Sequence, residues 1–220
     1  MSLKLVHISD THLQPFPELP EADVLVHSGD GLNYGSLTEL ERFKEQLMAV
    51  APKYGKIFYC PGNHDKVLEH TPYSSINFLK KDIPNLEVGI HDAFEYKGYK
   101  WFSTSYQPFF CNWSFNVKDN LDLYEKYLQI PKETEILITH APAKGTLDYV
   151  VNTFNPNGAH VGSKALQMAI EQLPNLKLVM SGHIHYAAGQ TEKNGVKYSN
   201  AAICNEAYKP VNKAQLIELE

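Results

Sequence analysis

The chain has 220 residues and a formal net charge of −5, from 20 basic and 25 acidic side chains, and 43% of its residues are hydrophobic. The length favours one domain over residues 1–220, and the hydrophobic share excludes a chain that is disordered by composition. The acidic balance argues against a surface that holds long polyanions, because nucleic-acid affinity comes from clustered Lys and Arg.

Targeting signals and cysteine chemistry give little information about the function of the chain. The sequence has no run of about 18 apolar residues, and it opens into a strand-like segment instead of a secretion signal, so we expect a cytoplasmic protein without a membrane span. Cys60, Cys111 and Cys204 lie far apart without a CxxC pair, which predicts free thiols and excludes a cysteine-based zinc site.

Strand-like and helix-like segments alternate along the chain. Short apolar runs predict strands over residues 3–8, 24–27, 56–60, 135–139 and 176–180. Helical spacing of apolar residues predicts helices over residues 37–50 and 163–173, the second with Ser163 as its N-cap. This alternation predicts an α/β fold with a largely parallel sheet.

A second group of segments alternates polar and apolar residues in the manner of hairpin strands. These segments are residues 87–96, 100–105, 186–192, 196–201 and 214–219. The dipeptide Asn194–Gly195 predicts a tight hairpin between two of them. They indicate a second, more antiparallel sheet packed against the first. The expected architecture is a four-layer α-β-β-α sandwich of two mixed β-sheets flanked by helices.

Five apolar runs end in side chains that can bind metal. The runs are LVHISDTH, VLVHSGD, IFYCPGNHD, ILITHAP and LVMSGHIH. A single DTH or GD fits a polar turn equally well, but five such clusters in order indicate one site, because ligands bind beyond the carboxyl ends of strands in open α/β sheets. Oxygen and imidazole donors without thiolate suit Mn, Fe, Zn, Co or Ni better than Ca. The candidate ligands are Asp10, His12, Asp30, Asn63, His140, His183 and His185.

The order of these motifs resembles that of the calcineurin-like metallophosphoesterase superfamily: D-x-H, GD, GNHD, a later His after a strand, and GHxH. They stand here as Asp10/His12, Asp30, Asn63/His64/Asp65, His140 and His183/His185. The segments EADVLVHSGD, QPFFCNWSFN and SNAAICNEAYKPVN resemble one branch in particular, the small brain-type metallophosphoesterase-domain proteins (the 239 family) and their microbial relatives.

The resemblance implies a dinuclear metal-dependent phosphoesterase that hydrolyses small phosphodiesters, cyclic nucleotides among them, by attack of a metal-bridging hydroxide. It implies one metal held by Asp10, His12, Asp30 and His185, and a second held by Asp30, Asn63, His140 and His183. Asp30 would bridge the two ions. Manganese is the expected metal, with iron, zinc, cobalt or nickel as alternatives.

The catalytic residues implied by the resemblance are Asn63, His64 and Asp65. His64 would stabilise charge or protonate the leaving oxygen, and Asp65 would orient it, although an Asp at this position is also common as a turn or helix-start residue. The positions of the remaining histidines predict their roles. His7 and His27 support the ligands by hydrogen bonds. His70, His91 and His160 lie in loops, and His160 is a candidate for the pocket border.

Two further segments leave alternatives open. Residues 106–115 carry Phe109, Phe110, Trp113 and Phe115, which form either a pocket wall for a nucleobase or aryl ester, or a loop that pins one sheet to the other. In the tail, Asn200, Asn205 and Tyr208 either reach the crevice or belong to a closing strand and turn.

Small phosphate esters or nucleotides are therefore the expected substrates, without stable nucleic-acid binding. A nuclease acting on DNA or RNA and a catalytically silent metal-binding scaffold are the alternative functions. The acidic charge disfavours the first, and the complete motif set disfavours the second.

Overall fold

The computed structural model describes residues 2–220, which form fifteen strands and five α-helices. The strands are β1 Leu3–Ile8, β2 Val24–His27, β3 Lys56–Tyr59, β4 Leu86–Val88, β5 His91–Tyr96, β6 Tyr99–Thr104, β7 Gln107–Pro108, β8 Asn116–Val117, β9 Ile136–Thr139, β10 Tyr149–Val150, β11 Ala159–His160, β12 Leu178–Ser181, β13 Gly189–Lys193, β14 Val196–Asn200 and β15 Gln215–Leu219. The helices are α1 Leu37–Val50, α2 Lys66–His70, α3 Pro72–Lys80, α4 Leu121–Tyr127 and α5 Lys164–Ile170. None of the helices in this part of the chain has the length and apolarity to cross a membrane.

The first large sheet has five strands in the order β15-β1-β2-β3-β4. Strands β1 to β4 run parallel, and β15 pairs antiparallel with β1 at the edge. The prediction that residues 214–219 belong to the second sheet is therefore wrong. Ile217 and Leu219 are buried while Leu216 and Glu218 are exposed, and such alternation shows which face of a strand is covered without showing which strand it pairs with.

The second large sheet has six strands in the order β13-β14-β12-β9-β6-β5. Its four inner strands run parallel, and β13 and β5 are antiparallel edges. Strands β9 and β12, predicted in the first sheet, lie at the centre of this one, which corrects that expectation. Both are buried at every residue, as are β2 and most of β1, so their sequences are the same kind of continuous apolar run in either sheet.

Two predicted strand boundaries are also corrected. Residues 87–96 are two strands in different sheets, because the chain leaves β4, crosses at Gly89 and enters β5. Residues 186–188 belong mainly to a short 3-10 turn, and β13 begins only at Gly189. The hairpin prediction is confirmed: Asn194 and Gly195, at φ 53° and 76°, join β13 to β14.

The four-layer sandwich is confirmed by three apolar cores. Helix α1 packs Leu40, Phe43 and Leu47 on the outer face of the first sheet. The middle core lies between the sheets and joins side chains such as Phe58 and Trp101, whose rings stack at 4.4 Å. The third core packs α4 and α5 on the outer face of the second sheet.

The segment after β14 joins the two sheets at the edge where the candidate ligands lie. The Ala201 N–H donates to the Ser181 carbonyl of the second sheet, and the Ser9 N–H of the first sheet donates to the Ala201 carbonyl. The His183 N–H donates to both carboxylate oxygens of Asp10. The carboxyl ends of strands from both sheets therefore meet at one place.

Helix α5 has its N-terminus capped by a carboxylate from a distant part of the chain. Asp119 accepts hydrogen bonds from the Ser163 hydroxyl and from the N–H groups of Lys164 and Ala165. Removing these acceptors in Asp119→Ala leaves helix donors without partners, and we expect the free energy of unfolding to fall by about 1–2 kcal/mol. Denaturant titration measures this, with the exposed Glu45→Ala on α1 expected to stay within about 0.5 kcal/mol of the parent.

Candidate metal centre

The backbone turns sharply just beyond the strands that carry the candidate ligands. Asp10, His12, Asp30 and His183 all have left-handed backbone, with φ of 51°, 46°, 56° and 65°. This conformation costs a non-glycine residue roughly 1–3 kcal/mol and persists only where the surrounding structure holds it, which is typical of functional sites. Four strained residues within one set of predicted ligands therefore indicate a functional site at this edge.

Three overlapping groups of side chains could hold a metal ion, with ligand atoms within 4.8 Å of one another in each. One joins Asp10, His12 and His185, and another joins Asp30, His140 and His183. The third links them through His12, Asp30 and His64. The structure thus brings together six of the seven predicted ligands in two clusters bridged by Asp30 and His12. Asn63 joins the second cluster, because its Oδ1 lies 3.0 Å from His140 Nε2.

Three imidazole rings of the centre are held by the same kind of hydrogen bond. The Nδ1 atoms of His12, His140 and His185 lie 3.1, 2.8 and 3.0 Å from the carbonyls of Leu32, Ser28 and Asn205. A carbonyl only accepts, so each Nδ1 carries a proton and Nε2 is the ring atom that remains to bind a metal ion. Metal-binding histidines are fixed in this way.

The donor set fits divalent cations. His12 Nε2 is buried and has no hydrogen-bond partner, an arrangement that costs free energy unless a ligand accepts its lone pair. Burial lowers the pKa of His12 to about 4 and that of His183 to about 3, so both rings are neutral at pH 7 and able to bind metal. Carboxylate, amide oxygen and imidazole, without thiolate, match the ligands that first-row divalent metals take.

Two buried carboxylates supply the negative charge. Burial alone would raise their pKa values, but His185 holds the pKa of Asp10 below its usual range, and His140 and His64 do the same for Asp30. In return, although burial opposes it, Asp30 raises the pKa of His140 to about 9 and Asp10 raises that of His185 to about 9. Metal binding at these two rings therefore competes with protons.

His64 lies at the centre, but Asp65 does not contact its ring as predicted. His64 Nδ1 donates to the Asn33 carbonyl, and Nε2 lies 3.9 Å from Asp30 Oδ2. The Asp65 carboxylate instead accepts from the N–H groups of Asp30, Leu32 and Gly62. The expected orienting contact is wrong because the Asn33 carbonyl accepts the His64 Nδ1 proton and three backbone N–H groups donate to Asp65. Asp65 acts on the loops that carry Asp30 and His64, and burial with the charge of Asp30 raises its pKa to about 7.

The other histidines divide into confirmed and corrected predictions. His7 bonds to the Ser28 and Ser199 hydroxyls, and His27 bonds to Thr11, so both support the ligand-bearing segments as predicted. The loop prediction for the remaining three is wrong. His70 ends α2, His91 begins β5, and His160 lies in β11 with its Nδ1 2.6 Å from the buried carboxylate of Asp148.

A cleft of about 520 Å³ opens from the centre. Phe109 and Phe110 of the aromatic segment line it, whereas Phe115 is buried in the first core and Trp113 stacks on the His64 ring at 3.9 Å. The segment therefore divides between the cleft lining and the core, and stacking of a nucleobase or aryl ester on it stays a prediction. In the tail, Tyr208 lines the cleft and packs its ring 4.6 Å from His12, while Asn200 donates to the carbonyls of Leu147 and Ile184.

A further part of the cleft lining was missed by sequence reasoning. It comes from β10 and the loop that follows it, where Val150 and Phe154 line the cleft. Phe154 is 91% exposed within the polar run NTFNPNG. A lone Phe among turn-forming residues is the sequence signal that indicates such a lining.

The four-layer sandwich and its strand-end Asp, Asn and His side chains define a metal-binding α/β protein. The family model for calcineurin-like phosphoesterases matches residues 3–187, and the chain belongs to this family. The superfamily resemblance is thereby confirmed.

Curated relatives agree with the predicted branch. The chain is 29% identical over 236 aligned positions to metallophosphoesterase domain-containing protein 1 of Homo sapiens, covering 98% of this chain and 71% of the relative, and the Mus musculus protein matches equally. A UPF0046 protein of Caenorhabditis elegans is 27% identical, over 95% of this chain and 79% of its own. A solved dimetal phosphatase from Danio rerio, 10% identical, shares the fold with a TM-score of 0.58 over 98% of this chain and 91% of its own.

Proposed function

We propose that the chain is one metallophosphoesterase domain that hydrolyses small phosphodiesters, cyclic nucleotides among them, with two divalent cations, manganese first. The observation that carries this proposal is the pair of ligand clusters, which are linked through His12 and Asp30 and open to a cleft of about 520 Å³. That volume suits a small molecule. Family membership supports phosphate ester hydrolysis as the reaction class.

The proposed ligand sets extend the two clusters, the first by Asp30 and the second by Asn63. Asp10, His12, Asp30 and His185 would hold one ion, and Asp30, Asn63, His140 and His183 would hold the other. When bound, the metal pair supplies positive charge for the phosphate oxygens and a water of lowered pKa.

His64 is assigned the proton transfer. Its Nδ1 donates to the Asn33 carbonyl, so the ring is fixed and Nε2 faces the centre near Asp30. From there, a protonated Nε2 stabilises charge on the phosphate and gives its proton to the leaving oxygen. Asp65 holds together the loops that carry Asp30 and His64, because its carboxylate accepts three backbone hydrogen bonds from them.

Trp113 is assigned as a positioning residue for His64. Its ring stacks on the imidazole with an interplanar angle of 26°, and Lys66 Nζ lies 4.4 Å from the Trp113 ring centroid. The next residue, Ser114, donates its N–H to the Asn63 carbonyl, and Phe115 donates to Glu69 Oε1. The aromatic segment is thus attached to the loop that carries His64.

We expect Trp113→Ala to lower kcat about 10- to 100-fold while KM and bound metal change little, because the imidazole loses the ring that holds its plane. Trp113→Phe keeps a ring and should recover most of the activity. Steady-state kinetics with a phosphodiester and metal analysis measure the effect. A rise in KM without a fall in kcat would instead place Trp113 in substrate binding.

The function itself is tested on the purified protein by metal analysis and by hydrolysis of bis(4-nitrophenyl) phosphate, 4-nitrophenyl phosphate, and 2′,3′- and 3′,5′-cyclic nucleotides. We expect about two bound metals per chain, faster turnover of the diester than of the monoester, loss of activity with EDTA and recovery with Mn²⁺. Two bound metals without turnover of any ester would contradict the proposal and support the silent scaffold.

A further inference from the structure

The cleft beside the metal centre is apolar along most of its wall. It shares Asp30, Asn63, His64, His183 and His185 with the centre, and beyond them it is lined mainly by rings and aliphatic side chains. Phe109 and Phe110 come from the segment between β7 and β8, and Val150 and Phe154 come from the region of β10. A molecule bound at the metals therefore has its next groups against this apolar surface.

The charge of the cleft limits the kind of substrate. Within residues 2–220, neither Lys nor Arg lines it, and outside the metal centre its charged lining residue is Glu206. A phosphodiester carries one negative charge, which the cations can neutralise. A second phosphate would lie beside the Glu206 carboxylate without a cation to balance it.

Side-chain amides order the backbone of both loops before any ligand binds. Asn116 accepts from the Phe110 N–H and donates to the carbonyls of Phe110, Cys111 and Trp113. In the loop after β10, Asn152 Oδ1 accepts from the N–H groups of Phe154 and Asn155.

Phe109 and Phe154 are nevertheless 64% and 91% exposed. Aromatic rings presented to water on fixed loops gain free energy when a flat apolar group covers them, and pre-ordering reduces the entropic cost of binding.

We propose that this cleft selects singly charged phosphodiesters in which at least one ester group carries a flat aromatic ring, an aryl group or a nucleobase, and that Phe109 and Phe154 determine this specificity. The inference rests on the proposed diesterase function for the position of the phosphate. Diesters with small aliphatic groups and molecules with a second phosphate are the disfavoured classes.

The test is equilibrium binding of diphenyl phosphate and dimethyl phosphate to the Mn²⁺-loaded protein by calorimetry. Both anions carry one charge, so the ratio of their affinities isolates the contribution of the ester groups. We expect diphenyl phosphate to bind about tenfold tighter or more. Phe109→Ala and Phe154→Ala should each reduce that ratio about threefold to tenfold, and the double variant should bring it close to one. Both rings are exposed, so the fold tolerates their removal.

The matched control is Tyr73→Ala on α3, which removes a ring that is 84% exposed and does not line the cleft. It should leave the ratio unchanged. The charge limit is tested with P1,P2-diphenyl diphosphate, which we expect to bind more weakly than diphenyl phosphate, with a smaller difference in Glu206→Gln.

Equal affinity for the two diesters, or a ratio that the two Phe variants leave unchanged, overturns the proposal. Preferential binding of diphenyl phosphate that depends on Phe109 and Phe154, in a protein that hydrolyses no diester, supports the cleft specificity and contradicts the proposed catalysis. Hydrolysis of diesters without any preference for aromatic groups supports the proposed catalysis and contradicts the cleft specificity.

Discussion

Asp30→Asn lowers kcat/KM for phosphodiester hydrolysis by about 10³-fold or more and reduces the metal content of the purified protein. Asp30 is buried, belongs to two of the three candidate ligand groups, and lies 3.3 Å from His140 Nε2. An amide keeps the shape and can still accept the His64 N–H, but it carries no charge to neutralise two cations. Charge stabilisation by metal contributes several kcal/mol, and about 1.4 kcal/mol corresponds to tenfold in rate.

The matched control for this variant is Asp122→Asn, which makes the same chemical change at an exposed position on α4. It should retain full activity and the full metal content. Inductively coupled plasma mass spectrometry measures the metal, and turnover of bis(4-nitrophenyl) phosphate across a range of Mn²⁺ concentrations measures the rate. If Asp30→Asn kept two metals per chain and hydrolysed the diester at the parent rate, the bridging role assigned to Asp30 would be wrong.

The identities of the site residues could be predicted from the sequence because each follows an apolar run. Asp10 and His12 follow β1, Asp30 follows β2, and His140 follows β9. What the runs could not show is that β1 and β2 belong to one sheet and β9 to the other. A fully buried strand has the same composition in either sheet, whereas pairing depends on crossovers whose path leaves no periodic signal.

The local geometry of the centre also could not be predicted from the sequence. Left-handed backbone at Asp10 and His183 is uncommon outside glycine, and only the assembled contacts impose it. The Asp65 prediction went wrong in the same way, because its acceptor capacity is used by backbone N–H groups that the sequence does not place. Phe154 illustrates a third limit: the loop that carries it has turn-forming composition, and its place in the lining of the same cleft as Phe109 depends on tertiary structure.

Gly182→Ala should damage the centre while leaving its ligands chemically intact. Gly182 lies between His140 and His183, and its N–H donates to the His140 carbonyl at 2.8 Å. A Cβ at this position would overlap Ser9 Oγ and Asp10 Oδ2. Asp10 must then move away from His185 and from the His183 N–H, and a displacement of about 1 Å can cost 10²-fold in rate. We expect kcat/KM to fall by about 10²-fold, bound metal to decrease, and the free energy of unfolding to fall by about 1–3 kcal/mol through overpacking.

Gly98→Ala separates loss of stability from damage to the site. Gly98 has φ 78° in the turn between β5 and β6, and an added Cβ there meets nothing within 4 Å. Its cost of about 1–2 kcal/mol is backbone strain alone, so the variant should lose stability comparable to that of Gly182→Ala while keeping parental kcat/KM and metal content. Denaturant titration, metal analysis and diester kinetics on both variants give the comparison. A Gly182→Ala protein that is merely less stable, with parental kinetics and metal content, would mean that the centre tolerates displacement of Asp10, and Asp10 would then lose its place among the ligands.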